Sequence, residues 1–159
     1  MAISGISTNY SGRLRDICIL NGINALNPEV QPSSLDFGRP SRFCAGVQKL
    51  CQRYIILLLT KAGSQVNHPE LGTTFLTSLQ SRNKTLSSVD VEHLFNVSNL
   101  DVLNVLRQYQ AENPDLPLDE QIDTCIMDDF FIENDAAYFK LKLLTQSGTT
   151  ITFLTPLPE

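Results

Sequence analysis

The stretch VQKLCQRYIILLLTKAGSQVNHPELGTTF, residues 47–75, decides the fold of this chain. It opens with apolar residues at helical spacing, and one helix face is formed by Phe43, Val47, Leu50, Tyr54 and Leu57. The pattern predicts a helix from Pro40 or Ser41 to about Lys61, because proline is favoured at the first helical position. Gly63 follows as the predicted helix stop, with Lys61 as a cation in the last turn.

A turn and further helices are expected after this first helix. Pro69 cannot donate a backbone hydrogen bond and Gly72 permits a tight turn, so we expect a turn between them. A short helix is predicted over 73–80. Segment 89–111 is helical by pattern, as one bent helix or as two, with Ser87 or the next serine as its N-cap. Its predicted apolar face is Leu94, Val97, Leu100, Leu103 or Leu106, and Tyr109.

Beyond Pro117 the apolar period changes from helical spacing to two, in runs at 122–127, 139–144 and 150–154. Turn-forming residues at 134–135 and 147–148 separate these runs, so they predict a three-stranded antiparallel meander. The face expected to pack on the helices is Phe139, Leu141, Leu143, Ile151 and Phe153. Helices first and strands last predict an α+β fold, with two to four helices on a C-terminal sheet.

Residues 1–39 differ in composition from the rest of the chain, being rich in Ser, Gly, Asn and Pro. Such residues break helices and long strands. We expect an extended N-terminal arm that orders on a neighbouring molecule, and a disordered tail is the alternative. Within it, 17–20 is apolar enough to pair as an isolated strand. Residues 40–159 form the predicted domain.

A chain of 159 residues is long enough for one domain with a real core. No apolar run approaches the ~20 residues of a membrane-spanning helix, so no membrane contact is expected. The N-terminus lacks a basic start followed by an apolar block, so no secretory signal is expected. Four buried, reduced thiols, as in a cytosolic protein, are expected at Cys18, Cys44, Cys51 and Cys125.

Charge is distributed unevenly along the chain. Residues 1–107 carry ten Lys and Arg against seven Asp and Glu, whereas residues 108–159 carry two Lys against ten Asp and Glu. The net charges are therefore +3 and −8. The acidic segment is either a solvated face or a surface that docks a basic partner. No stripe of Lys and Arg with interleaved aromatics is present, so no nucleic-acid binding is expected.

One ordered series of residues resembles a known family. A helix ends in aliphatics and Leu-Leu-Thr, Gly-Ser follows, and a Pro-Glu-x-Gly-Thr turn comes a few residues later. This series resembles the phage baseplate wedge family, which includes the tail sheath initiator of T-even phages and a wedge component of type VI secretion baseplates. The family usually has an aromatic residue where this chain has Leu71. The matching residues are Gln52, Arg53, Ile55, Leu57, Leu58, Leu59, Thr60, Gly63, Ser64, Pro69, Glu70, Gly72 and Thr73.

A second family signature, Glu-Pro-Arg before the first strand, is incomplete in this chain. Glu112 and Pro114 are present, but Asn113 interrupts them and no arginine follows. In the family this arginine ties the protein into the wedge core. We therefore expect other residues, with the N-terminal arm as the candidate, to make that contact.

The resemblance implies a virion structural protein of the tail baseplate that assembles in the host cytoplasm and initiates the contractile sheath. The implied mechanism is strand augmentation, in which the first sheath ring adds strands to the C-terminal sheet. Implied partners are the tail sheath protein, other wedge proteins, and tail tube or hub proteins, in six-fold symmetry. The predicted sheath-contact residues are Leu141, Leu143, Thr145, Thr150, Ile151, Thr152, Phe153 and Leu154.

Catalytic motifs are sparse, and we expect no enzyme, cofactor or metal site. His68 and His93 have no metal-ligand spacing, and adjacent Asp128 and Asp129 on a strand point to opposite faces. The alternative is a muramidase that cleaves cell wall, with Glu70 as one of two carboxyl groups across a cleft. Another tail or connector protein, or a secretion-system homologue, is a further alternative.

Overall fold

The computed structural model describes residues 13–21, 31–32, 34–35, 42–81, 87–133 and 136–156. The described part is an α+β fold in which helices precede a C-terminal antiparallel sheet, so the predicted fold class is confirmed. The helices are α1 (Val47–Leu59), α2 (Phe75–Ser81) and α3 (Ser88–Glu112), followed by a 3₁₀ turn at Leu118–Glu120. The strands are β1 (Asp16–Cys18), β2 (Leu20–Asn21), β3 (Gln31–Pro32), β4 (Ser34–Leu35), β5 (Arg42–Cys44), β6 (Ile122–Glu133), β7 (Ala136–Thr145) and β8 (Thr150–Pro156).

The largest sheet is the predicted meander of β6, β7 and β8, with β3 added in parallel to β8. The predicted turn at 147–148 is present, and Gly148 has a positive φ of 81° there. The predicted turn at 134–135 lies outside the described residues, between the paired Glu133 and Ala136.

The inner face of this sheet forms the core against the helices, as predicted. Phe139, Leu141, Leu143, Ile151 and Phe153 are all buried. Phe75 of α2 joins the layers, since its ring centroid lies 5.3 Å from that of Phe139 and 6.2 Å from that of Phe95 on α3. Within the described ranges, no helix combines the length and apolar character that a bilayer span requires.

The first helix begins later than predicted and ends earlier. Residues 42–44 form β5 instead of a helical turn, and Gly46, with a φ of 62°, redirects the chain into α1. Phe43 therefore lies off the helix and is half exposed. Thr60 is the C-cap, so Lys61 is outside the last turn and Gly63 is not the helix stop.

The third helix is single, and its predicted face is right in part, because Leu103 and Leu106 are buried and Leu94 packs against the core. Ser87 caps it in a capping box with Asp90, and Asn113 ends it. Val97 and Leu100 point outward. The buried side includes two polar residues, Ser98 and Asn99, which the predicted apolar face did not include. The buried face is Val91, Phe95, Ser98, Asn99, Val102, Leu103 and Leu106.

Strand β6 also departs from simple alternation. Its register with β7 shifts between Ile122 and Thr124 and again between Met127 and Asp129. Each shift moves the following residues to the opposite face. Consequently Cys125 is buried and Ile126 is exposed, although the sequence placed Ile126 on the same face as Ile122.

The described part of the predicted N-terminal arm contacts its own chain. β1 pairs with β5, β2 pairs with β4, and β3 pairs with β8. The expected isolated strand at 17–20 is thus divided between β1 and β2. Binding of a neighbour by this arm stays a prediction, and residues 1–12, 22–30, 33 and 36–41 lie outside the described residues.

The thiols of Cys44, Cys51 and Cys125 are buried and free, whereas Cys18 is partly exposed, so the predicted burial fails for Cys18. Burial raises the pKa of both Cys44 and Cys125 to about 12, with neighbouring Cys18 adding to the rise at Cys44. Burial also raises the pKa of Cys51 far above its ordinary value.

We expect iodoacetamide at pH 8 to alkylate Cys18 first in the native chain, because the thiolate is the nucleophile. A pKa of about 12 leaves about one Cys125 thiol in ten thousand ionised at pH 8. Mass spectrometry of native and guanidine-unfolded chain checks this, with all four sites alkylated after unfolding. Equal rates at all four cysteines in the native chain would contradict it.

Candidate functional site

Motif residues after α1 close a loop. The Thr73 N–H donates to the Thr60 carbonyl over 2.8 Å, and the Ala62 N–H donates to the Thr73 carbonyl over 2.9 Å. The Thr73 hydroxyl also donates to the Leu58 carbonyl over 2.7 Å. Gly72 lies next to these hydrogen bonds, and its backbone has a positive φ of 99°. The last turn of α1 and the chain entering α2 are thereby tied together.

The loop over residues 61–70 is exposed along its whole length. Within it the Gly63 N–H donates to the Pro69 carbonyl over 3.1 Å, and the Ser64 N–H donates to the Lys61 carbonyl over 3.1 Å. Val66 is 94% exposed. A loop with a closed base and internal hydrogen bonds can present an apolar side chain to a partner at little ordering cost.

The motif residues on α1 have structural contacts. The Gln52 side chain is buried, accepts from the Ile19 N–H over 2.7 Å and donates to the Ile17 carbonyl over 2.8 Å. The side-chain amide therefore bonds one main-chain N–H and one main-chain carbonyl of this segment, as the backbone of a neighbouring strand would. The Arg53 guanidinium lies 4.1 Å from the ring centroid of Tyr109 on α3. Of the motif's aliphatic residues, Ile55 and Leu58 are in the core and Leu57 and Leu59 pack partly against it.

Arg53 and Tyr109 also border an apolar groove of about 250 Å³ between α1, α3 and the loop. Leu57, Thr60 and Leu71 contribute to its lining. The groove adjoins the base of the exposed loop, so a partner that contacts one can reach the other.

A charged cluster joins the N-terminal segment to the residues before β6. Lys49 Nζ lies 2.9 Å from Glu120 Oε2, and both side chains are nearly inaccessible. The Gly46 N–H donates to Glu120 Oε1 over 3.2 Å. Arg13 Nη1 contacts both carboxylate oxygens of Asp119, at 2.6 and 2.7 Å. The sequence offered no signal for this cluster, because its members are far apart along the chain.

This cluster borders a cleft of about 380 Å³ that includes Glu112, Asn113 and Pro114. That is where the Glu-Pro-Arg signature was expected. Arg13 of the N-terminal segment lines the same cleft. An arginine from the predicted arm therefore lines the same cleft as Pro114.

The predicted sheath-contact residues divide between the two faces of the sheet. Five are buried on the inner face: Leu141, Leu143, Thr145, Ile151 and Phe153. Thr150 is exposed, and Thr152 and Leu154 are half-buried on the outer face. A partner strand at β8 could therefore contact side chains only of this second group, together with the main chain.

The outer edge of β8 is partly covered. Gln31 of β3 is in register with Phe153, and Pro32 is in register with Leu154. The sheet edge expected to accept a sheath strand is therefore already paired within the chain at these two residues. No described strand pairs with this edge at Thr150–Thr152.

The opposite edge of the sheet, formed by β6, is protected differently. Side chains of α3 donate to its carbonyls: Asn99 to Cys125 over 2.8 Å and Arg107 to Asp123 over 2.9 Å. Farther along, the Phe130 N–H donates to the Asp129 carboxylate over 2.8 Å. Side chains, in place of a further strand, satisfy these groups, as is common at natural sheet edges.

The acidic segment is partly neutralised within the chain. Asp119 and Glu120 face Arg13 and Lys49. The Asp128 carboxylate forms an ion pair with Lys140. The hydrogen bond in this pair is the larger cause, and the positive charge of Lys140 the smaller one, of a lowered pKa of Asp128.

Glu70 has no features of a general acid. Its carboxylate is exposed, and its pKa is lowered by a hydrogen bond to its own backbone and by one to His68. A glycosidase acid needs the opposite shift, which an apolar pocket supplies. Among the described residues, no group of three or more His, Cys, Asp or Glu side chains could hold a metal ion.

Comparison with family models, curated proteins and solved structures found no match to this chain.

Proposed function

We propose that this chain is a structural baseplate protein of a contractile phage tail, and that it initiates the sheath by accepting a strand at the β8 edge. The observation that supports this most directly is the asymmetry of the sheet. Helix side chains protect β6, whereas no described strand pairs with the outer edge of β8 at Thr150–Thr152. The order of motif residues from Gln52 to Thr73 supports the family assignment.

Strand addition at β8 would rest on main-chain hydrogen bonds, which supply affinity in this type of recognition. Thr150 and Thr152 keep this end of the strand polar before assembly. The core beneath, with Ile151 and Phe153 buried, holds the strand in place. A docking strand would therefore meet a preformed template.

Other wedge proteins would contact the surface around the 61–70 loop and the adjoining apolar groove. The exposed Val66 and the groove residue Leu71 offer apolar contacts there. Six-fold arrangement, and contact with tail tube or hub proteins, follow from the same family resemblance.

Replacing Thr152 by proline tests the β8 edge. Proline removes one main-chain donor from the strand. We expect the chain to lose sheath initiation, seen as tails without sheath by electron microscopy, while circular dichroism shows a folded monomer. Thr152→Val is the matched control, because it removes the hydroxyl and keeps the N–H. Normal sheath on Thr152→Pro baseplates would argue that β8 is not the docking edge.

A further inference from the structure

Two cysteines lie on the same face of the ladder between β1 and β5. Asp16 is in register with Cys44, and Cys18 is two residues farther along β1. Residues two apart in a strand share a face, so Cys18 and Cys44 are diagonal neighbours across the ladder. The opposite face has the register pair Ile17 and Phe43, and both of these side chains are exposed. The cysteines are therefore on the inner face of the ladder.

The two thiols contact each other. Burial is the largest cause that raises the pKa of Cys44 to about 12, and both the charge of Cys18 and a hydrogen bond to it add to the rise. From α1, the side-chain amide of the buried Gln48 donates to Cys18 Sγ over 3.4 Å. Neither cysteine is in a disulfide. The Cys18 sulfur is thus held beside Cys44 in the reduced chain.

Access to solvent differs between the two thiols. Cys18 is partly exposed, whereas Cys44 is fully buried, so a reagent in solution reaches Cys18 first. Cys51 and Cys125 are a second neighbouring pair, because Cys125 adds to the effect of burial in raising the pKa of Cys51. Both of these thiols are in the core. They provide an internal control in which two sulfurs are close but a reagent has no access.

We propose that Cys18 and Cys44 are a reversible redox pair, which a low-molecular-weight disulfide converts into a cross-strand disulfide that fixes β1 to β5. The bond closes a loop that contains β2, β3 and β4. Diagonal neighbours are at the upper limit of the separation that a disulfide spans, so the bond is strained and easily reduced. Oxidation on release from the host cytoplasm rests on the proposed function; the bond itself does not.

The reaction is thiol–disulfide exchange in two steps. The Cys18 thiolate attacks one sulfur of oxidised glutathione, so a mixed disulfide forms and one glutathione thiolate leaves. Cys44 then gives its proton to solvent, and its thiolate attacks the Cys18 sulfur and expels the second glutathione thiolate. The two leaving thiolates take up the two protons that the cysteines lose. Two cysteine thiols are thereby oxidised, and one oxidised glutathione is reduced to two thiols.

The first test treats the native full chain with oxidised glutathione, alkylates the remaining thiols with N-ethylmaleimide in guanidine and maps the disulfides by mass spectrometry. We expect one linked pair of peptides, joining Cys18 to Cys44, with Cys51 and Cys125 alkylated. A lasting glutathione adduct on Cys18 beside a reduced Cys44 would overturn the proposal. No reaction, or a bond that includes Cys51 or Cys125, would overturn it as well.

A variant of the buried cysteine traps the intermediate. In Cys44→Ala no second thiol expels glutathione, so we expect the mixed disulfide to accumulate on Cys18. Cys51→Ala is the matched control, because it removes a different buried thiol and should still form the bond between Cys18 and Cys44. Circular dichroism checks that both variants fold, and the wild-type map decides the matter if one does not. An equal amount of adduct in Cys44→Ala and wild type would overturn the role of Cys44.

Hydrogen exchange tests the effect of the bond on the N-terminal segment. We expect the amides of β1 to exchange about tenfold more slowly in the oxidised chain than in the reduced chain, because opening of the ladder is then restricted. Cys18→Ser, treated with the same oxidant, is the control and should show no change. Equal exchange in the oxidised and reduced wild type would overturn the proposal that the bond fixes β1 to β5.

Reversibility distinguishes this pair from a permanent disulfide. We expect an excess of reduced glutathione to restore both thiols, and a bond that resists this treatment would overturn the reversible role. Chain alkylated in the host cell should be reduced at Cys18 and Cys44, and chain from released particles should be linked. Reduced thiols in released particles would overturn the timing. Absence of the chain from such particles would overturn the proposed function, and the tests on the isolated chain would still decide the redox pair.

Discussion

Replacing Gly72 by alanine should destabilise the chain by about 3 kcal/mol, since a left-handed conformation and a steric clash add together. Gly72 has a φ of 99°, and a Cβ at this position would lie 2.5 Å from the Thr60 carbonyl oxygen. That oxygen belongs to the backbone and accepts the Thr73 N–H over 2.8 Å, so it cannot move without breaking the loop closure. Urea unfolding followed by circular dichroism measures the loss.

Gly63 provides the matched control for this substitution. Its φ is 76°, also in the left-handed region, but apart from Gly63 itself and its two chain neighbours no described atom lies within 4 Å of a Cβ built there. Gly63→Ala should therefore cost only the conformational part, about 1 kcal/mol. If both variants lose the same free energy of unfolding, the Thr60 backbone moves away from the added Cβ at no cost, and the predicted clash is wrong.

The C-terminal half was predictable because its physical signal is local. Alternating apolar residues such as Leu141, Leu143, Ile151 and Phe153 identify both the strands and their buried face. The same rule failed in β6, where two register shifts interrupt the alternation. It failed in the middle of α3, where the polar Asn99 is buried and links the Tyr54 hydroxyl to the Cys125 carbonyl by hydrogen bonds.

The N-terminal half could not be predicted in this way. Strands β1 to β5 have two or three residues each, too few to show a period. They are stabilised by contacts distant in sequence, such as the Gln52 amide with β1 and the Arg13 guanidinium with Asp119. For the same reason the sequence could not indicate the pairing of β3 with β8, because the two strands lie more than a hundred residues apart along the chain.

Replacing Glu120 by alanine should cost about 4 kcal/mol, because it leaves the buried Lys49 ammonium without its partner. The Lys49 and Glu120 side chains are only 7% and 5% exposed, and without the carboxylate the Lys49 ammonium would keep only a long contact of 3.5 Å to the Leu14 carbonyl among the described residues. The Gly46 N–H at the start of α1 would lose its acceptor as well. The expected result is a lower urea midpoint with an unchanged slope.

Two further variants test whether the unpaired buried charge, and no other change, causes the loss of stability in Glu120→Ala. Asp128→Asn removes an ion pair with Lys140 at the surface and should leave the midpoint unchanged within error. The double variant Lys49→Met and Glu120→Leu removes both buried charges and should recover most of the stability lost in Glu120→Ala. If Glu120→Ala unfolds at the wild-type midpoint, or if the double variant is as unstable as Glu120→Ala, an unpaired Lys49 is not the cause. The stability of the contact between the N-terminal segment, α1 and the start of β6 would then depend on packing and on the Arg13–Asp119 ion pair.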